Sequence, residues 1–384
     1  MKNEITNTGA LGMAALNDEL GAKLKEAARI AMCDVLRAKE GEQVLIITNP
    51  ETDVAIISAA LFDAANDCGA NPVMLFQNEK TQMDFAEPAV IAAFEAKPEI
   101  VISMSSGKLG KDKKGIAGDR SYNGKVYDHI FHLLQYGEKS CRAFWSPAVT
   151  LDSFVRTVPV DYTLLKHRAA FIADILNKAD LVKITAPGGT DITIGLADRT
   201  AKVDDGDFSV LGQGGNLPAG ETFISPQNGT AEGIIAFDGS ISLHDNDIII
   251  NKPIICTVQG GFVTDIQGGH EADLLLETIT LAEKNSCEFE KTGRILAGMG
   301  EIYRKNARNI GELGIGLNPR AKISGNMLED EKAFNTCHFA IGQNYDEDAP
   351  CLIHLDGLVK NPTIIAVTAG GIETIIEKDG VLQE

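Results

Sequence analysis

Near the C-terminal end of the chain, His354-Leu355-Asp356 sits in the apolar run CLIHLDGLV. A strand places residues i and i+2 on one face, so the imidazole and the carboxylate point into one site. Two ionisable groups on a buried face cost several kcal/mol of desolvation unless a counter-charge answers them, and a divalent cation is the most economical one. H-x-D by itself is also the pattern of a structural His–Asp hydrogen bond. Upstream, His338 lies in the strand-like run TCHFAIG, where a core histidine and a ligand look alike. Glu312 lies in GELGIG, among glycines and apolar residues where a charge is out of place unless it caps an exposed end. Glu221 follows the turn NLPAG and opens a β segment. Two histidines and three carboxylates exceed the three protein ligands of a catalytic zinc and suit two metals that share a bridging carboxylate. Charge agrees, because three carboxylates and one hydroxide balance two divalent cations.

The elements that would position these residues divide into two halves. From Leu16 through Leu20, Leu24, Ala27, Ala28, Ala31, Met32, Val35 and Leu36 the apolar spacing of three and four predicts an amphipathic helix that Gly41 can end. Val44 to Ile47 then reads as a strand, Asn49-Pro50 as a helix start, and the next helix runs to Cys68-Gly69 before a strand at Val73 to Phe76. A helix over 86–96 and a strand at Ile100 to Met104 continue the alternation, which implies parallel strands covered on both faces. A helical stretch from Asp161 to Ala179 follows. Beyond it, paired glycines punctuate short β-like runs, with Ile234 to Phe237, Ile248 to Ile250, Ile254 to Val258 and Phe262 to Ile266 expected as neighbouring strands and a helix from Glu271 to Lys284. The expected architecture is an α/β domain with a parallel sheet over 1–178 and a β-rich α+β metal-binding domain over 179–384, consistent with a length of 384 residues.

Composition removes several function classes. With 35 Lys and Arg against 54 Asp and Glu, a formal net charge of −19, nucleic acid and anionic membrane are poor partners. No run of 18 apolar residues occurs, and the N-terminal MKNEITNTGALGMAAL has no uninterrupted apolar stretch. Seven cysteines without a C-x-x-C pair form neither a disulfide framework nor a zinc ribbon, which points to a reducing cytoplasm. Neither G-x-x-x-x-G-K-[ST] nor G-x-G-x-x-G is present, so no nucleotide cofactor follows. His270-Glu271 is not continued to H-E-x-x-H because position 274 is Leu, and no G-x-S-x-G occurs. Lys108, Lys111, Lys113 and Lys114 cluster in a glycine-containing loop, read either as a solvated mobile segment or as a lid that attracts an acidic substrate group.

NLPAGE (216–221), GELGIG (311–316), LEDEK (328–332), CHFAIG (337–342) and HLD (354–356), in that order, resemble the aminopeptidase T family of dinuclear metallo-aminopeptidases. The resemblance implies that Glu221, Glu312, His338, His354 and Asp356 are metal ligands for two divalent ions, zinc, cobalt or manganese. It implies that Tyr345 is the catalytic tyrosine, donating to the oxyanion of a tetrahedral intermediate. It further implies a cytoplasmic homodimer that releases N-terminal residues from short peptides. The same scaffold is shared by mononuclear iron ring-cleaving dioxygenases of dihydroxypyridine type, for which His338, His354 and Asp356 would make a two-histidine, one-carboxylate triad. A non-catalytic binding protein is the third reading.

Overall fold

The computed structural model describes residues 17–81 and 84–384. The N-terminal segment MKNEITNTGALGMAAL, which includes Leu16, lies outside the described residues. Two compact units emerge, the first built from residues 1–162 and 206–219, the second from 163–205 and 220–384. The division therefore falls earlier than residue 178 and is crossed by a returning segment. Helix Tyr162–Leu176 runs into the second unit, where the Ala169 carbonyl accepts a hydrogen bond from Thr222 Oγ1 at 3.1 Å and the Arg168 guanidinium lies 5.1 Å from the centre of the Phe334 ring.

The first unit holds a five-stranded parallel sheet in the order Gly214–Asn216, Arg142–Trp145, Ile100–Met104, Gln43–Thr48, Asn71–Phe76. The returning segment thus supplies its edge strand. The run QVLIIT buries both faces as a covered parallel strand must. Leu45 and Ile47 pack with Val90, Phe94 and Phe131 on one face. The first helix, Asp18–Ile30, is capped by Asn17 and passes into a π-helical turn, Ala31–Val35, well before Gly41. The second helix starts at Thr52, with the Glu51 carboxylate accepting from the Asp53 and Val54 amides. Asn49 is not its cap: the side chain is buried, donates to the Gln77 carbonyl and accepts from the Ser106 amide. The lysine loop is tied down. Buried Asp112 accepts from the Lys114 and Ile130 amides and from Arg120 Nε, while Lys114 and Arg120 both reach Glu95 at 3.0 Å.

The second unit contains two antiparallel sheets. One has seven strands in the order Asp247–Ile249, Ser240–Ser242, His354–Lys360, Thr336–Gly342, Ile310–Gly316, Glu221–Ile224, Lys202–Asp204. The other has eight, in the order Phe262–Gln267, Ile254–Gln259, Glu232–Phe237, Asp191–Gly195, Leu181–Thr185, Thr363–Val367, Glu373–Lys378, Val381–Leu382. Three of the four strands expected to neighbour one another do so, but Asp247–Ile249 pairs with Ser240–Ser242 in the seven-stranded sheet. The helix expected over 271–284 extends over His270–Lys291. Among the described residues no helix is long and apolar enough to cross a membrane.

Candidate metal centre

Four adjacent strands of the seven-stranded sheet carry the site. Glu312, Ala340 and Asp356 lie directly opposite one another on three of them. Gly314 faces His338, Gly342 faces His354, and Gly316 faces Glu221. Paired positions share a face, so both histidines and all three carboxylates project to the same side. The residues between them on that face are Gly314, Gly316, Ala340 and Gly342, so the floor is paved with the smallest side chains. The reason is steric: a Cβ on Gly314 would lie 2.0 Å from His338 Nε2, because the imidazole rests on the glycine backbone. A register shift between Ile310 and Glu312 adds a bulge beside the carboxylate, a device that re-aims a side chain.

His338 Nε2 is 3.2 Å from Glu312 Oε1 and 3.6 Å from Glu221 Oε2. His354 Nε2 is 3.4 Å from Glu312 Oε2 and 3.3 Å from Asp356 Oδ1. Three triads of ligand atoms result: Glu221, Glu312 and His338; Glu312, His354 and Asp356; and Glu331, His338 and Asp356. Glu312, His338 and Asp356 each belong to two of them. His354 Nδ1 donates to the Gln343 carbonyl at 2.8 Å, which orients the ring so that Nε2 faces the acids.

The residues fit a cation. Among the described residues, Glu221 Oε2, Glu312 Oε2 and Asp356 Oδ1 are buried acceptors without a hydrogen-bond donor, each aimed at an imidazole nitrogen. The electrostatics agree. Burial works to lower the His338 pKa, yet the Glu312 hydrogen bond and the charges of Glu221, Glu312 and Asp356 raise it to about 9. For His354, Asp356 outweighs burial and the value rises to about 10. Asp356, despite its burial, is drawn down to about 2 by His354. Burial pushes Glu312 up and takes Glu331 to about 8. Protons are thus held where positive charge is needed.

Every expected ligand is in the cluster. Sequence reasoning gave no role to three other members, Glu331, Lys332 and Asp204. Lys332 is fully buried, with Nζ 2.7 Å from Glu221 Oε1, 2.5 Å from Glu331 Oε1 and 3.7 Å from Asp204 Oδ2. Burial opposes its charge, but those three carboxylates hold it as an ammonium, its pKa raised. In the sequence it shows as a lysine inside the acidic run LEDEK, a pattern that by itself reads as solvated surface. Tyr345 packs edge-on beside the cluster, its ring centre 5.1 Å from that of His354 and 5.2 Å from that of Phe223. Half of its surface is open, while burial of the hydroxyl and the field of Glu312, Asp356, Glu331 and Glu221 keep the phenol protonated.

An α/β unit and a two-sheet β unit, with a carboxylate–histidine cluster on one sheet face, define the class: a chain whose clustered residues could hold a metal ion. Residues 150–341 match the family model described as NicX, 2,5-dihydroxypyridine 5,6-dioxygenase. That span is half of the chain, and the protein belongs to this family. Among solved structures, a 2,5-dihydroxypyridine dioxygenase from Pseudomonas putida KT2440 superposes with a TM-score of 0.67 at 18% identity, covering 94% of this chain and 97% of that one. AmpT from Thermus thermophilus superposes with a TM-score of 0.66 at 15% identity, covering 94% of this chain and 99% of that one. These likenesses show the fold, so the resemblance to the aminopeptidase T family holds at that level while the family match lies with the dioxygenases. No curated protein matches the chain.

Proposed function

We propose that the protein is a ring-cleaving dioxygenase that uses one ferrous ion and acts on a hydroxylated pyridine or a close heteroaromatic analogue. The observation that carries this reading is the family match over 150–341, a span that includes Glu221, Glu312, Glu331, Lys332 and His338. Lys332 supports it. A buried ammonium already binds one oxygen of Glu221 and one of Glu331, so these two carboxylates are partly engaged by a cation other than a metal. His338, His354 and Asp356 would hold the iron, with Glu312 against both imidazoles. When bound, iron supplies the one-electron chemistry through which dioxygen reacts with an electron-rich ring. The chain's own groups do the rest. Gln343 orients His354, Tyr345 keeps its proton and can donate it, and Glu331, at about 8, can hold or release one at neutral pH.

A second reading has its own observation. Because Glu312 reaches both imidazoles, Oε1 3.2 Å from His338 Nε2 and Oε2 3.4 Å from His354 Nε2, it has the placement of a bridging carboxylate, which is what a dinuclear aminopeptidase acting on short peptides through two zinc, cobalt or manganese ions would need. Elemental analysis of protein purified without oxygen, with an oxygen electrode and a peptide-hydrolysis assay, separates the two. One iron per chain and oxygen uptake with 2,5-dihydroxypyridine is the expected result. Two divalent ions per chain and amino acid release from di- or tripeptides overturns it in favour of the hydrolase.

A further inference from the structure

Outside the metal face, the first unit places two cysteines in contact. Cys33 sits in the π-helical turn Ala31–Val35, and Cys68 is the C-cap residue of helix Thr52–Asp67. Their sulfurs are 2.7 Å apart, well inside the roughly 3.5–4.0 Å of two non-bonded heavy atoms. Both residues are partly exposed, whereas Cys141, Cys256, Cys337 and Cys351 are buried. A π turn is an uncommon interruption of a helix and often marks a functional position. Here it occurs in the one stretch of the first helix that carries a cysteine, where the first helix packs on the second.

We infer that Cys33 and Cys68 form a reversible redox pair that closes to a disulfide when the protein meets a peroxide. The step balances. The Cys33 thiolate attacks hydrogen peroxide, giving a sulfenic acid and hydroxide, and the Cys68 thiol then attacks the Cys33 sulfur and expels water as the S–S bond forms. Two electrons pass from the two sulfurs to the peroxide, and a dithiol reductant reverses the change. The bond would staple the end of the first helix to the end of the second and close a loop with 35 residues of sequence separation, a constraint that stabilises by restricting the unfolded chain. An enzyme that handles dioxygen would meet peroxide as a by-product, but the inference stands on the thiol geometry and not on that activity.

The test uses the full chain, reduced and then titrated with hydrogen peroxide. Non-reducing digestion and mass spectrometry should yield one linked pair of peptides, carrying Cys33 and Cys68 and lighter than their sum by two hydrogens. Dithiothreitol should abolish it, and the oxidised protein should melt several degrees higher than the reduced one. In Cys68→Ser, Cys33 should stop at a sulfenic acid that dimedone traps. If Cys287 oxidises while Cys33 and Cys68 stay as thiols, or if Cys33 passes to sulfinic acid in the wild type with no linked peptide, the pair is not a redox site.

Discussion

Gly314→Ala tests whether the metal face depends on the space above a single glycine. The methyl group would stand 2.0 Å from His338 Nε2 and 2.1 Å from Cε1. Non-bonded heavy atoms separate to about 3.5 Å, so the imidazole must withdraw by roughly 1.5 Å. A histidine ligand holds its metal at about 2.0–2.1 Å with a tolerance of about 0.2 Å, so a displaced ring cannot remain a ligand. The strand itself tolerates alanine, because no positive φ is required at this position. The loss should therefore exceed the roughly 10- to 100-fold in metal affinity typical of outer-shell changes, and misplacement on this scale costs about 10²-fold or more in rate. Metal content by mass spectrometry after equilibration with a competing chelator reads the affinity, and circular dichroism with thermal melting reads the fold. Gly21→Ala is the control: it lies in helix Asp18–Ile30 with nothing within 4 Å of the new methyl, and should be neutral or stabilising by about 0.5–1 kcal/mol. A Gly314→Ala protein that keeps wild-type metal affinity would show that His338 does not bind metal in the position described.

Glu312→Gln should leave about one iron per chain and weaken its binding by roughly 10- to 100-fold; a drop from two metals to one, by the same elemental analysis, would identify Glu312 as a bridge between two ions. Glu377 is fully buried, both its oxygens lack a hydrogen-bond donor among the described residues, and burial raises its pKa well above the ordinary carboxylate value. Its folded form holds the proton longer than the unfolded chain, so stability declines as pH rises above about 4.5, by up to about 1.4 kcal/mol per pH unit until the folded group itself ionises. Glu377→Gln should remove that slope, being more stable at pH 7 and equal to wild type at low pH in urea titrations; parallel pH curves would refute it. Arg142→Gln strips the Leu36 and Arg37 carbonyls and Glu42 of a buried guanidinium, and urea unfolding should show a loss of about 3–5 kcal/mol; a loss under 1 kcal/mol would mean that water or Gln replaces those bonds.

The parallel strands at Gln43–Thr48 and Ile100–Met104 are legible because burial on both faces demands continuous β-branched and aliphatic runs. His354-x-Asp356 is legible for the opposite reason, since a period of two in an apolar strand puts both groups on one face. What was hidden depended on distant pairing. Nothing local to 214–216 announces that Gly-Gly-Asn is the edge of the first unit's sheet, because its partner Arg142–Trp145 lies some 70 residues earlier. Asn49 is a good cap by type, but tertiary hydrogen bonds to Gln77 and Ser106 claimed it, and Glu51, a type not favoured at a cap, took the place. Lys332 was hidden most deeply: a lysine in an acidic run reads as solvated surface, and only the fold brings Asp204 and Glu221 around it. The glycines of GELGIG marked the motif, but their purpose, a seat for the His338 ring, is visible only across the strand pair.

One face of one sheet can serve either chemistry because protons and metal ions compete for the same charge. Asp204, Glu221, Glu312, Glu331 and Asp356 carry five negative charges, Lys332 returns one, and with both imidazoles neutral four remain. Two divalent ions cancel them with no proton retained. One ferrous ion cancels half, and two protons on the buried carboxyls complete the balance; Glu312 and Glu331, both pushed upward by burial, are the groups placed to keep them. The number of metals is therefore tied to the number of protons displaced, and a mononuclear site keeps, in Glu331 beside Lys332, an acid near neutrality that a dinuclear site would lose. Loading the apoprotein in weakly buffered solution should release fewer protons per chain with ferrous ion than full occupancy by two zinc ions would require. Complete deprotonation of the cluster at a single iron per chain would break that link between Lys332, the retained protons and the dioxygenase reading.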